Sequence, residues 1–267
     1  MDSCCICGTV KNCGPYLDRV FDNIKQITKL FRKYVIILYC DVSTDDTVEK
    51  IIKFKKELNI HFHLNETYNS PFRTHRIAYG RNYCLNVIRS HYLDYKYFIM
   101  MDFDDVNCNN INISPLKKCL LRSDWDAVSF NKTPYYDIWA LSVRPYVFSY
   151  IHFENSAEVA HKMAEYVNYQ LNQLEKDNLL ECVSSFNGFM IYKSMSFLNC
   201  AYDGNIRLDL IPSKYINANI LKNESKIVYN DYDWLSINDE DCEHRSFHIL
   251  AKTNNNAKLF ISPEILF

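Results

Sequence analysis

The chain has 267 residues, 48% of them hydrophobic, with 30 Lys and Arg against 32 Asp and Glu and a net charge of −2. That is enough apolar material for one large α/β domain, and neither half carries a basic block, so nucleic acid is not an expected partner. The 11 cysteines form no stapled framework, no apolar run reaches the ~20 residues that span a bilayer, and Met1-Asp2-Ser3-Cys4 opens no leader peptide; a soluble, intracellular protein of the reducing cytoplasm is expected.

Residues 3–10 read as a first strand. Gly14-Pro15 opens a helix across 16–30, where Leu17, Val20, Ile24, Ile27 and Leu30 recur at helical spacing. Residues 34–40 are an unbroken apolar run, as in a strand covered on both faces, and the run ends at Asp41. Ser43-Thr44-Asp45-Asp46-Thr47 supplies capping groups for a helix from about 45 to 58. A third strand at 59–64 and a long helix at 75–92 lead to Tyr97-Phe98-Ile99-Met100-Met101, a fourth strand that runs into Asp102-Phe103-Asp104-Asp105. This alternation predicts an α/β fold with an open, mainly parallel twisted sheet flanked by helices. Beyond it the rhythm breaks. A short helix starts at Ser114-Pro115, strands are expected at 126–131 and 135–141, and a helix at 155–175. Two short strands follow within 180–192 around Asn187-Gly188, then a helix at 239–252 and a last strand at 257–261. No linker or repeat divides the chain, so one domain with an irregular second half is expected.

The acids after the fourth strand are the strongest chemical signal. Carboxylates at the end of a buried strand need water, a cation or a hydrogen-bonding partner. On an extended chain Asp102 and Asp104 point to one side, about 6.6 Å apart along the backbone, a spacing suited to one divalent ion. The carboxyl ends of strands in such a sheet are also where ligands bind. Magnesium or manganese would share phosphate oxygens with one or two of these carboxylates. The plain alternative is a solvated acidic loop. Asp41, closing the second strand, is left for a ribose or a base once a neighbour such as Ser43 caps the next helix. Arg76 and Arg81 lie in a positive cluster, Arg73 to Asn82, that would compensate a diphosphate. In Asp239-Glu240-Asp241-Cys242-Glu243-His244-Arg245-Ser246-Phe247-His248, the two histidines share a helix face, but no glutamate follows the first of them as in zinc proteases. One histidine would complete an octahedral site with Asp104 or Asp105, and Glu243 or Asp241 would serve as a base; His248 reads as packed. Cys4 and Cys7 have C-x-x-C spacing without a second pair, so they read as core.

Taken together, these segments resemble nucleotide-sugar glycosyltransferases of the GT-A type. The carriers are Asn12 with Gly14-Pro15-Tyr16-Leu17, the 41–47 segment, Arg76 with Arg81-Asn82, and Asp102-Phe103-Asp104-Asp105-Val106. Later come residues 135–141, Phe186-Asn187-Gly188 through Tyr192, and Cys242-Glu243-His244 with Phe247-His248. The layout is similar to small viral and microbial enzymes of that type, and more distantly to fungal capsule-associated mannosyltransferases. The resemblance implies a GT-A-like sheet in a single domain over 1–267. Residues 1–108 would be the nucleotide-binding half and 109–267 the acceptor-side half. It implies a hexosyltransferase that moves sugar from a nucleoside-diphosphate sugar to a hydroxyl of a glycan, protein or other acceptor, with Mn2+ or Mg2+. Thr9, Val10, Asp41, Ser43, Arg76, Arg81, Asp102 and Phe103 would frame the nucleotide. Asp102, Asp104, Asp105 and His244 would hold the metal, in a D-x-D (102/104) or x-D-D (104/105) register. Glu243 or Asp241 would be the base, with Asp137 as a further acceptor contact. Asn187 stands where a second glycine is more usual. Two alternatives remain: a haloacid-dehalogenase-like phosphohydrolase with Asp102 as nucleophile, and a non-catalytic nucleotide-sugar-binding protein.

Overall fold

Alternation of buried side chains explains why the first strands sit in the middle of the molecule. The structure, a computed structural model, describes residues 2–226 and 240–267. In β1 (Ser3–Val10), Cys4 and Ile6 face a layer containing Leu17, Val20, Phe21 and Ile24 of α1 (Gly14–Thr28). Cys5 and Cys7 face the opposite layer, with Cys84, Leu85 and Ile88 of α3 (Arg73–His91). Both faces of the sheet are therefore covered, and β2 (Lys33–Cys40) follows the same parity. All 11 cysteines are free thiols. Cys4 and Cys7 point to opposite faces, so their spacing serves the core.

The eight-stranded sheet has the order β3-β2-β1-β4-β7-β5-β8-β6. Its parallel half joins β1 to β2 and to β4 (Tyr97–Met101), and β2 to β3 (Ile60–Leu64). The other half is mixed. β7 (Phe189–Lys193) runs antiparallel between β4 and β5 (Ala127–Asn131), β8 (Leu259–Ile265) lies parallel to β5, and β6 (Leu180–Cys182) is the far edge. The chain leaves β1 for β2 on one side and arrives at β4 on the other. This change of direction opens a crevice beyond the carboxyl ends of β1 and β4. α2 (Thr47–Phe54), α4 (Ser114–Leu120) and α5 (Ser156–Asn172) fall where helices were expected. α7 (Glu243–Asn255) starts later than expected, and Asp239 lies outside the described residues. α6 (Ser213–Asn223) had no clear apolar stripe to reveal it.

One expectation needs correction. Residues 135–141 form turns and irregular backbone rather than a strand. Both edges of neighbouring β5 are already taken by β7 and β8, so no ladder is open to them. Their buried Tyr135, Ala140 and Leu141 pack without one. The two short strands expected around Asn187-Gly188 do form, and they join different neighbours: β6 pairs with β8, and β7 with β4 and β5.

Candidate active site

At the ends of β1 and β2, Thr9, Val10, Lys11, Tyr39, Asp41 and Arg76 surround a hollow of about 220 Å³. Asp41 is held by the side-chain amide of Asn65 at 2.8 Å, the N–H of Val42 at 2.9 Å and Lys11 at 3.3 Å, with the Arg76 Nε 3.8 Å away. Burial alone would push its carboxyl up, but these donors outweigh it and hold it below the usual carboxylate range. Ser43 is used differently from expectation. Its hydroxyl accepts the N–H of Asn12 at 3.0 Å and donates to the Asp41 carbonyl, while Asp45 accepts the Gly14 N–H at 2.9 Å. The 41–47 segment thereby locks onto the start of α1.

Arg73 and Ile77, from the first turns of α3, line this hollow and also a second one of about 350 Å³. That second hollow reaches Asp102, Tyr136, Asp137, Trp139, Glu243 and His244. The two hollows thus adjoin at the α3 N-terminus, with Arg73 and Ile77 common to both.

Asp102 stands at the junction. Its N–H donates to the Gly188 carbonyl at 2.9 Å, and the buried Asn107 amide ties the Asp102 and Gly188 carbonyls together at 2.9 and 2.7 Å. Gly188 has φ +83°, and a Cβ there would meet Val106 at 2.5 Å, so no other residue fits this close approach. Burial pushes the Asp102 carboxyl up to about 8, against the pull of Arg81 and helped by Asp104 and Asp137. Asp104 is raised as well, first by burial, while its carboxylate accepts the Val106 N–H at 3.1 Å. Asp105 is exposed at the start of a single 3-10 turn. Phe103 corrects an expectation: it is buried, with Gly8 directly beneath its ring and Phe21 6.0 Å away, so it belongs to the core and not to the nucleotide hollow.

The acids at the start of α7 each have an assigned partner. Glu240 accepts the N–H and hydroxyl of Thr74, capping the N-terminus of α3. Asp241 pairs with Arg245 at 2.8 Å, and both are buried. Arg245 also donates to the carbonyls of Leu141 (3.1 Å), Val147 (3.2 Å) and Trp139 and to the Ser142 hydroxyl. Glu243 pairs with buried Arg81. That guanidinium also contacts His244 Nε2, reaches Asp102 at 3.3 Å and lies 4.5 Å over the Phe186 ring. His244 stacks on Phe186 at 3.9 Å. Burial first, then Arg81, holds its pKa well below the ordinary histidine value, so it is neutral. The structure thus sets His244 against a guanidinium rather than against the aspartates. His248 is packed between the Ser184 and Tyr192 hydroxyls at 2.9 and 3.0 Å. Among the described residues no group of three or more His, Cys, Asp or Glu converges as a ready-made metal cage.

Asp137 differs from the acids of α7. Its carboxylate lines the second hollow and accepts the N–H of Ala140 at 3.0 Å, and it has no ion pair among the described residues. Burial first, then Glu243, raises its pKa. The backbone there is set by Asn187, buried at φ +57°, whose side-chain carbonyl accepts the N–H groups of Tyr136 and Asp137 at 2.9 and 3.0 Å. Its NH2 donates to the Phe130 carbonyl at 2.8 Å. The sequence placed Arg73 only within the cluster from Arg73 to Asn82 and Asn187 only as a departure at a glycine position; it gave Arg245 no role, although its i, i+4 spacing from Asp241 is a local signal.

No protein-family profile matches the chain, and no curated protein matches its sequence. Solved structures do match. S. aureus TarS is 13% identical over 100% of this chain and 36% of its own, with a TM-score of 0.50. TarS 1–349 in complex with UDP-GlcNAc is 14% identical over 99% and 57%, with a TM-score of 0.48. The mannosyltransferase PcManGT from Pyrobaculum calidifontis, in complex with GDP-Man and Mn2+, is 13% identical over 75% and 47%, with a TM-score of 0.39. The chain thus spans less than two thirds of each of these. The fold is the GT-A-type arrangement of nucleotide-sugar glycosyltransferases, a mostly parallel sheet flanked by helices.

Proposed function

We propose that this chain transfers a hexosyl unit from a nucleoside-diphosphate sugar to an acceptor hydroxyl, in a divalent-metal-dependent reaction. The observation that carries the reading is a pair of adjacent hollows: one at the ends of β1 and β2, and a second holding Asp102 and Asp137, with Arg73 and Ile77 lining both. A nucleoside would occupy the first and the sugar the second, with the diphosphate between them. This position in the sheet is where open α/β folds take ligands.

The residues present fit a hard cation. Asp102 and Asp104 are oxygen ligands whose pKa values are raised chiefly by burial, a desolvation that a bound cation would offset. Magnesium and manganese commonly take one or two carboxylates and complete their shell with phosphate oxygens and water. Asp102 and Asp104 would hold the ion, with Asp105 at the rim; bound there, it would neutralise the leaving diphosphate. His244 is left out of that shell in this reading, because Arg81 lies against its Nε2 and Phe186 stacks on its ring.

The protein's own groups supply the rest. Arg73 has no ion pair among the described residues and lines both hollows, so its charge is free for the diphosphate. Arg81 is fixed by Glu243 and Asp102 and adds a preorganised positive field. Asp137 is the base. Glu243 is engaged by Arg81, and Asp241, paired with Arg245, lines neither hollow, which removes both from that role. Desolvated Asp137 is more basic than an ordinary carboxylate, as general-base work at neutral pH favours. It would take the acceptor hydroxyl proton as that oxygen attacks the anomeric carbon from the face opposite the diphosphate, inverting its configuration.

The test is direct. UDP and GDP, each with Mn2+, should raise the melting temperature. UDP-GlcNAc, UDP-glucose or GDP-mannose should be slowly hydrolysed without acceptor, and Asp104→Ala should abolish the metal-dependent part. Nucleotide binding without any sugar release would favour a non-catalytic binding protein. Neither binding nor release would overturn the reading.

A further inference from the structure

The wall of the second hollow has its own chemistry, and it bears on what accepts the sugar. Tyr136, Trp139 and Tyr150 line this hollow together with Asp102. Tyr136 is 51% exposed, a large ring surface left open to solvent. The segment is held at two points. Asn187 fixes the N–H groups of Tyr136 and Asp137, and Arg245 grips the Trp139 carbonyl. Phe186 is not available to a ligand, since Arg81 and His244 cover its ring.

Charge narrows the occupant further. The lining carries the carboxylates of Asp102, Asp137 and Glu243 against the guanidinium groups of Arg73 and Arg81. Arg81 is taken up by Glu243 and Asp102, and Arg73 borders the nucleotide hollow. Arg73 is thus the one unpaired cation among the described lining residues, shared with the nucleotide hollow and, in the donor reading, taken by the diphosphate; what remains for an acceptor is Asp137 and the aromatic rings. At about 350 Å³ the hollow is small.

From this juxtaposition we infer that the acceptor is an uncharged sugar, its ring face laid on Tyr136 and Trp139 and one hydroxyl directed at the Asp137 carboxylate. Pyranose rings have one apolar C–H face and a rim of hydroxyls, which suits an aromatic surface beside a hydrogen-bond acceptor. The inference rests on the glycosyltransferase reading. In the step itself the acceptor O–H bond breaks, its proton passing to Asp137. The new O–C bond forms at the anomeric carbon, and the bonding pair of the old C–O bond leaves with the nucleoside diphosphate.

The experiment uses the full chain, Mn2+ and whichever of UDP-GlcNAc, UDP-glucose or GDP-mannose it hydrolyses. Methyl glycosides of glucose, galactose, mannose and N-acetylglucosamine are compared with glucose 6-phosphate, 3-phosphoglycerate and a serine-containing peptide. At least one neutral glycoside should accelerate nucleoside-diphosphate release and yield a disaccharide, and the phosphorylated compounds should not. Tyr136→Ala should lower the ratio of transfer to hydrolysis about tenfold, the equivalent of about 1.4 kcal/mol, and Tyr136→Phe should restore it. Transfer to the phosphorylated compounds or the peptide alone, or to none of the neutral glycosides, overturns the inference and leaves the donor reading standing. Absence of any donor hydrolysis and nucleotide binding removes both.

Discussion

Replacing Arg245 by methionine probes how α7 holds the acceptor-side wall. The side chain is 2% exposed, and its guanidinium satisfies Asp241 and oxygens of Trp139, Leu141, Ser142 and Val147. Methionine matches its length and apolar stem but provides no donors. Asp241, 3% exposed and raised in pKa by burial even while paired, would lose its counter-charge. Breaking a buried pair by removing one partner costs about 3–5 kcal/mol. Carbonyls left without a donor add roughly 1 kcal/mol each, less whatever entering water returns. The expected total, about 4–6 kcal/mol, is a large share of the 5–15 kcal/mol typical of a folded domain.

Urea unfolding of four proteins at pH 7.5 tests this: wild type, Arg245→Met, Asp241→Asn, and the double variant. Removing both charges should recover about 2 kcal/mol or more relative to the sum of the single changes, because the double variant buries no orphaned carboxylate. Arg245→Lys should restore only part of the loss, since one ammonium cannot reach oxygens spread over four residues. A loss below about 1 kcal/mol for Arg245→Met, or strict additivity in the cycle, would refute the view that this guanidinium is the tie between α7 and residues 139–147.

Other outcomes follow from the same geometry. Asp137→Asn should lower the transfer rate about 10²- to 10⁴-fold, the usual span for a lost general base, measured at saturating donor. The same change should stabilise the protein at neutral pH. A carboxyl whose folded pKa is raised loses stability as pH climbs from the unfolded value through the folded one. The melting-temperature gain of the asparagine form should therefore be absent below about pH 4 and grow above it, at about 2–4 °C per kcal/mol for a chain of this size. A gain independent of pH would contradict the burial argument. His244→Gln, which keeps an acceptor for Arg81, should leave Mn2+-dependent UDP binding nearly intact, whereas Asp104→Ala should weaken it about 100-fold or more. Equal losses in calorimetric titration would return His244 to the metal shell. Asn187→Gly tolerates the positive φ but leaves two backbone N–H groups without their acceptor, for about 2–4 kcal/mol. Hydrogen exchange should speed up at Tyr136 and Asp137 in that variant.

What the sequence discloses and what it withholds divide along the range of the interactions involved. The run Tyr97–Met101 into Asp102 is legible because strand burial and the acids that end it are neighbours in the chain. The βα rhythm of the first half is legible for the same reason, since each apolar stripe is local. Residues 135–141 were misread because their apolar content resembles a strand. Whether a strand can form depends on free sheet edges, and β7, which occupies one, lies some fifty residues onward.

The acids of α7 illustrate the limit most sharply. In sequence, Glu243 and Asp241 are the candidate bases, with Asp137 as a further acceptor contact, and nothing in spacing ranks them. The structure ranks them by what stands opposite. Glu243 meets Arg81 across 162 residues, and Glu240 meets Thr74 across 166. Only Asp241 has a partner that helix spacing reveals. Asp137 is set apart by its company: a backbone N–H, the aromatic rings of the hollow and no ion pair among the described residues, with Arg81 and Arg245 acting on it only from a distance. A carboxylate's basicity is the sum of desolvation, counter-charge and donated hydrogen bonds, and two of those three depend on contacts made at long range. Counting acids therefore finds where proton chemistry is possible. Choosing among them needs the cations to be placed, and in the proposed reading that step moves the base from α7 to the loop held by Asn187.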